Sequence, residues 1–200
     1  MNEVAKKEAD RIMKIKGNVR GAVFYTHAAF IKEKEGEKGI ELLENELAEL
    51  GYPLRFNEVK TLAWYPEALS VLAIITAKRI FNWTEADIFE MGNLAPKYSF
   101  VVKLLMSYFI SPKKCFQEAP KYWRKHYDFG ELNSQEYDED KKYCFIKFKG
   151  YKFHPLLCTF FRGYFLRIAQ YVIQSKKITI KETKCVHKGD SFHEFLIEWE

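Results

Sequence analysis

Near the end of the chain, "ETKCVHKGDSFHEF" (Glu182 to Phe195) places a carboxylate, a thiol and two imidazoles around a turn. Cys185 follows Glu182 by three residues, and His193 follows Cys185 by eight. A fourth donor is available upstream, where Cys158 lies 24 residues before Glu182 in an apolar helical stretch. Two sulfurs, one imidazole and one carboxylate make a tetrahedral donor set suited to zinc. His154, one helical turn before Cys158, and His187 are further imidazoles within reach. The spacing lacks a CxxC knuckle, so a second reading stands beside the metal. In that reading Cys158 is a small core residue, and Glu182, Cys185 and His193 are ordinary strand and loop positions.

Other chemistry is thinner. "KGNVRG" does not follow a strand and is not a G-x-G-x-x-G nucleotide loop. No Ser-His-Asp set or carboxylate pair stands at readable spacing, and a zinc with four protein ligands leaves no position for a reactive water. The sequence therefore favours binding over catalysis. An apolar ligand cavity is expected among "YSFVVKLLMSYF", "PKYWRKHYDFG" and the helix that starts at Pro155. Its candidate wall residues are Trp123, His126, Tyr98 and Phe161, several of them aromatics with one hydrogen-bonding atom that can orient a small hydrophobic or aromatic ligand.

The elements that must position these groups fall into two parts. "RGAVFYTHAAFIKEKEG", with a stop near Gly36, and "KGIELLENELAELG", with a stop at Gly51, carry helical periodicity. "WYPEALSVLAIITAKRIF" starts at Pro66 with Glu67 suited to the helix dipole. "WTEADIFEMG" has Thr84 as cap, Asp87 three residues on and Gly92 to close it. "PKYSFVVKLLMSYFI" is apolar nearly all round, as a buried helix would be, and "SPKKCFQEAPKYWRKHYDFG" runs from Ser111-Pro112 to a turn at Gly130. Then the character changes. "KKYCFIKFKG" reads as a strand, "HPLLCTFFRGYFLRIAQYVIQ" as a long helix, and "KKITIKETKC" and "SFHEFLIEWE" as a hairpin turning at Gly189-Asp190. The expected class is α+β: a helical N-terminal half packed on an antiparallel sheet, then a strand, a helix and a β-hairpin. Residues 1–200 are read as a single domain, with 1–130 its helical part and 140–200 its α/β part.

Composition bounds the rest. With 48% hydrophobic and 16% aromatic residues, 200 residues can bury a large core. The net charge of +5 arises from lysines interleaved with glutamates, as in "KEKEGEK", so nucleic acid is not indicated. The longest apolar run, Leu156 to Ile173, is interrupted by Arg162 and Arg167 and is no membrane span. The N-terminus has no apolar signal core, and a cytoplasmic location with reduced thiols is expected for the four scattered cysteines. No effector domain is read within the chain, so a signal is expected to pass to a partner. The end at "FLIEWE" also fits a piece of a longer protein.

From Phe153 to Trp199 the sequence resembles the 4-vinyl-reductase domain, through "HPLLCTFFRGYF" and "ETKC…KGDSFHEFLIEW". In that family a helix Cys, the Glu and Cys of E-x-x-C and a last Cys bind zinc. The resemblance implies a structural zinc on Cys158, Glu182, Cys185 and His193, with His in place of the last Cys. "KGNVRGAVFYTHAAFIKEKEGEKGIELL", "WYPEALSVLAI" and "IFEMGNLAP" resemble the wider H-NOX-like superfamily, which also holds Golgi-transport tethering subunits. That resemblance implies a ligand cavity between helices and sheet, and pairing as a homodimer through the helical halves. His126 falls where an axial haem ligand would be expected, but the Y-x-S-x-R clamp for haem propionates is missing from "CFIKFKGYKFH". Haem is therefore not expected, and a small-molecule sensory module is preferred. A haem-based gas binder and a tethering-type scaffold are the alternatives, with Trp64, Tyr65 and Trp83 as candidate interface aromatics.

Overall fold

A computed structural model describes residues 3–99, 102, 111–134 and 136–200. The first helical stretches are α1 (Glu3–Met13) and α2 (Ala22–Glu49), followed by α3 (Glu67–Ile80) and α4 (Glu85–Tyr98). Two short strands, β1 (Asn18–Arg20) and β2 (Trp64–Pro66), pair antiparallel and pin the starts of α2 and α3 together. At Gly36 the expected stop is only a break. The backbone turns to φ 74°, ψ −175° there, and helix resumes on the other side. Gly51 does end α2: at φ 83° it lets Tyr52 N–H reach back to Leu47 O at 2.9 Å. Thr84 and Asp87 form a reciprocal capping box at the start of α4.

Gly92 does not close α4, which runs on to Tyr98. Its missing side chain serves packing instead. A Cβ on Gly92 would lie 1.9 Å from Phe160 O, and one on Gly163 would lie 2.0 Å from Phe89 O. These two glycines let α4 and α6 (Leu156–Val172) cross with their backbones nearly touching. The stretch expected as a buried helix after Pro96 falls mostly at 100, 101 and 103–110, outside the described residues.

The helix α5 (Pro112–His126) starts on Ser111, whose hydroxyl accepts Lys114 N–H, and stops at His126 rather than at Gly130. Tyr127 is already extended and bridges to Val19. Strands β3 (Glu131–Asn133), β4 (Tyr137–Asp138), β5 (Tyr143–Lys149), β6 (Ile178–Lys184) and β7 (His193–Trp199) form one antiparallel sheet. Its order is β3-β5-β7-β6, with β4 also on β5. Cys144, Ile146 and Phe148 of β5 are buried at alternate positions, as are His193, Phe195 and Ile197 of β7. The molecule is α+β, with helices packed on one antiparallel sheet. No helix among the described residues is long and apolar enough to cross a membrane.

Candidate metal centre and apolar pocket

Four of the expected donors meet in space. The ligand atoms of Cys158, Glu182, Cys185 and His193 all lie within 4.8 Å of one another. Cys158 Sγ is 3.6 Å from Cys185 Sγ and 3.6 Å from His193 Nδ1, and His193 Nδ1 is 3.4 Å from Glu182 Oε1. A tetrahedral zinc would place two sulfurs ~3.8 Å apart, sulfur and nitrogen ~3.6 Å apart and nitrogen and oxygen ~3.3 Å apart. The three spacings given are close to these values.

The backbone explains how the donors converge. Cys158 sits in the first turn of α6, and His193 opens β7 on the face that meets α6. Glu182 and Cys185 are an odd number apart, so a regular strand would point them to opposite faces. A register shift between Glu182 and Lys184 inverts the alternation and puts both on the same side. Asp190, in the turn, accepts the Cys185 N–H at 2.7 Å and holds the loop closed.

His193 donates Nε2–H to Tyr151 O at 2.9 Å, which leaves the Nδ1 lone pair for the cluster. Burial, then the adjoining Glu182 and Cys185, push the Cys158 thiol far up, so a thiolate forms there only against a cation. Burial would also raise Glu182, but its contacts with His193, Cys158 and Cys185, with the Lys188 charge beyond them, outweigh it and hold the carboxyl at about 2. His154 is turned away: its Nδ1 accepts Leu156 N–H and its Nε2 faces Glu8 at 3.4 Å. His187 stands outside the four, its ring 5.6 Å from that of His193.

The second feature is a cavity of about 140 Å³ bounded by α2, α4, α5, the sheet and α6. Trp123, His126 and Phe161 line it, and Tyr98 does not. Tyr98 instead turns its hydroxyl to Glu33. Trp123 is committed structurally, donating Nε1–H to Phe129 O at 2.9 Å and stacking on Tyr127 at 3.8 Å. His126 is different, because its Nδ1 is buried without a hydrogen-bond partner. Burial, then the charges of Arg20 and Lys125, lower its pKa and favour the neutral imidazole. The remaining wall is apolar or aromatic, with Thr26, Ser99, Cys115 and tyrosine hydroxyls as its other polar groups, and no lysine or arginine lines it among the described residues. Of the interface candidates, Trp83 is buried and donates to Glu35, whereas Trp64 is 40% exposed beneath Arg20.

Tyr151 and Glu67 were invisible as site residues in the sequence. Tyr151 looks like turn filler after "KFKG", and Glu67 like a solvated helix start, yet both are buried, Tyr151 bonded to His193 through its carbonyl and to Glu67 through its phenol.

No known family profile matches the sequence, and no curated protein matches it. Solved structures do. An H-NOX protein from S. oneidensis in the Fe(II)NO ligation state shares 16% identity, covers 90% of this chain and 99% of its own, and superposes with a TM-score of 0.67. The Fe(II) unliganded H-NOX protein from K. algicida shares 11% identity over 90% of this chain and 96% of its own, with a TM-score of 0.62. A further similar structure concerns haem redox potential and porphyrin distortion, at 11% identity and a TM-score of 0.60. This corrects the expectation against haem. That expectation rested on a missing propionate clamp, whereas the architecture is shared over 90% of the chain with proteins of that chemistry and a free imidazole stands on the pocket wall. The chain has the fold of H-NOX domains.

Proposed function

We propose that this chain is a ligand-binding sensory domain, with haem the ligand to test first and His126 its axial donor. The observation that carries the reading is the buried, unpartnered Nδ1 of His126 on the wall of an apolar cavity. Iron porphyrins are held by such imidazoles, and the H-NOX neighbours, described in Fe(II) and Fe(II)NO states, give the same direction. When bound, haem supplies an iron centre that can take a diatomic gas. The chain's part is to present a lone pair at the end of α5 and to exclude water with Phe161, Phe160 and Tyr164. Ferrous haem added to the purified protein should give a sharp Soret band that shifts with nitric oxide or carbon monoxide. His126→Ala should abolish it, and a parent with no band overturns the haem reading.

A second reading has its own support. A space of about 140 Å³ with no lysine or arginine on its wall among the described residues also has room for a compact apolar or aromatic molecule. Thermal-shift titration with single-ring aromatics separates the two, since only this reading expects saturable stabilisation without a chromophore.

The metal centre belongs to the same proposal as a structural zinc on Cys158, Glu182, Cys185 and His193. Its support is the tetrahedral spacing of the donors and the 4-vinyl-reductase resemblance of Phe153–Trp199. Zinc there ties the hairpin β6–β7 to α6, one wall of the pocket. Elemental analysis of untagged protein purified without chelators should give about one zinc per chain. None would reduce the cluster to core packing.

A further inference from the structure

Tyr151 is bonded at both ends. Its carbonyl accepts His193 Nε2–H at 2.9 Å, and its phenol donates to Glu67 Oε1. Both side chains are almost out of solvent, Tyr151 at 1% and Glu67 at 2% exposure. Glu67 is fixed at the start of α3, where its N–H bonds Gly17 O at 2.9 Å. Its other carboxyl oxygen is buried without a partner. A buried carboxyl in this half-satisfied state is costly, and the one strong contact it makes leads toward the metal donors.

We propose that Glu67 and Tyr151 are positioning residues for the metal centre, linking its affinity to the packing of α3. The inference rests on the metal reading above. The carbonyl of Tyr151 sets which nitrogen of His193 carries the proton, and so which one faces Cys158 and Glu182. That carbonyl lies just past the end of β5, after Gly150 at φ 75°, where no strand ladder holds it. The side chain holds it instead. The ring packs against Phe148 and Phe161, each with centroids 5.0 Å away, and the phenol is anchored on Glu67. Without that anchor, the turn can shift and the imidazole loses its orienting acceptor. Neither Glu67 nor the phenol is one of the four donors, and the turn carries the effect to His193. Phe161 also lines the apolar cavity, so the same turn borders both features.

The test is zinc affinity of the purified chain by competition with a chromophoric chelator, with the visible spectrum of cobalt(II) reporting ligand geometry. Glu67→Leu and Tyr151→Phe should weaken zinc about tenfold and alter the cobalt bands, the size usual for groups that orient a metal-bound histidine. Glu67→Gln keeps the acceptor oxygen and should stay near the parent. Parental affinity and spectrum in all three variants overturn the coupling while leaving the metal centre standing. A Gln variant as weak as the Leu variant also overturns it, because the acceptor would then not be what matters. A parent that takes up neither zinc nor cobalt overturns the metal reading, and this inference with it. If Glu67→Leu fails to fold, Tyr151→Phe decides alone, since it keeps the ring and the carbonyl, and a parental result for it overturns the proposal.

Discussion

Four cysteines divide into two kinds by what surrounds them. Cys115 and Cys144 lie in apolar surroundings, and burial pushes each thiol up to about 12. Cys158 and Cys185 face an imidazole and a carboxylate instead. Serine at Cys158 or Cys185 should therefore release the metal and lower Tm together, by roughly 5–10 °C if 2–3 kcal/mol is lost from a chain of this size. Serine at Cys115 or Cys144 should leave metal content at the parental level, whatever it costs in packing. Elemental analysis with thermal unfolding on the four variants checks this, and zinc loss in either of the last two would assign the ligands differently. That these four side chains cluster could be suspected from the sequence, because Glu182, Cys185 and His193 are local. Spacing alone left a core reading open, and the family resemblance singled out the set. Glu67 gave no such signal. A glutamate after Pro66 reads as a solvated first turn, and only the return of the chain at Tyr151, 84 residues later, buries it.

At the scale of elements, the pairing of α4 with α6 fixes where Cys158, Phe160 and Phe161 stand. Alanine at Gly92 or Gly163 would drive a methyl group into a carbonyl of the facing helix, at 1.9 Å and 2.0 Å from the nearest oxygen. Neither obstacle is a flexible side-chain tip, so the helices must separate. Each substitution should cost about 1–3 kcal/mol or more, against the usual gain of alanine in a helix. Urea unfolding checks the sign: a stabilised Gly163→Ala would mean the two backbones do not approach. The sequence carries these glycines but not their meaning. Gly92 reads equally well as a helix stop, and Gly36, which looks the same, is only a break. The hairpin was legible through period-two alternation, and β5 through its short aromatic and β-branched run. The register shift that brings Glu182 and Cys185 to one side was not, because a bulge depends on the partner strand.

At the scale of the whole molecule, His27 and Glu67 are two buried titratable groups shifted in opposite senses, and each adds its own window to the pH profile. His27 is fully buried with neither nitrogen hydrogen-bonded, and burial lowers its pKa to about 3. Its contribution is fully present above the unfolded value of 6.5 and is lost as pH falls toward 3. Glu67 is raised to about 8 by burial, which outweighs the neighbouring Tyr151 phenol and Ser70. Its contribution is fully present below 4.5 and is lost as pH rises through about 8. Each window is worth up to about 5 kcal/mol, from 1.36 kcal/mol per unit. Between 4.5 and 6.5 the unfolded chain gains a proton on histidine and loses one on glutamate relative to the fold, so the two slopes cancel. These two contributions alone should give a plateau there and a fall on both sides, and His126, which burial also lowers, adds its own loss toward acid. Glu67→Gln should remove the alkaline fall, so that the difference from the parent grows between pH 4.5 and 8, and His27→Phe should do the same on the acid side. Urea midpoints at pH 4, 5.5 and 8.5 measure both differences. A Glu67→Gln difference that stays constant with pH would mean the carboxyl is already ionised in the fold, with a cation or water beside its free oxygen.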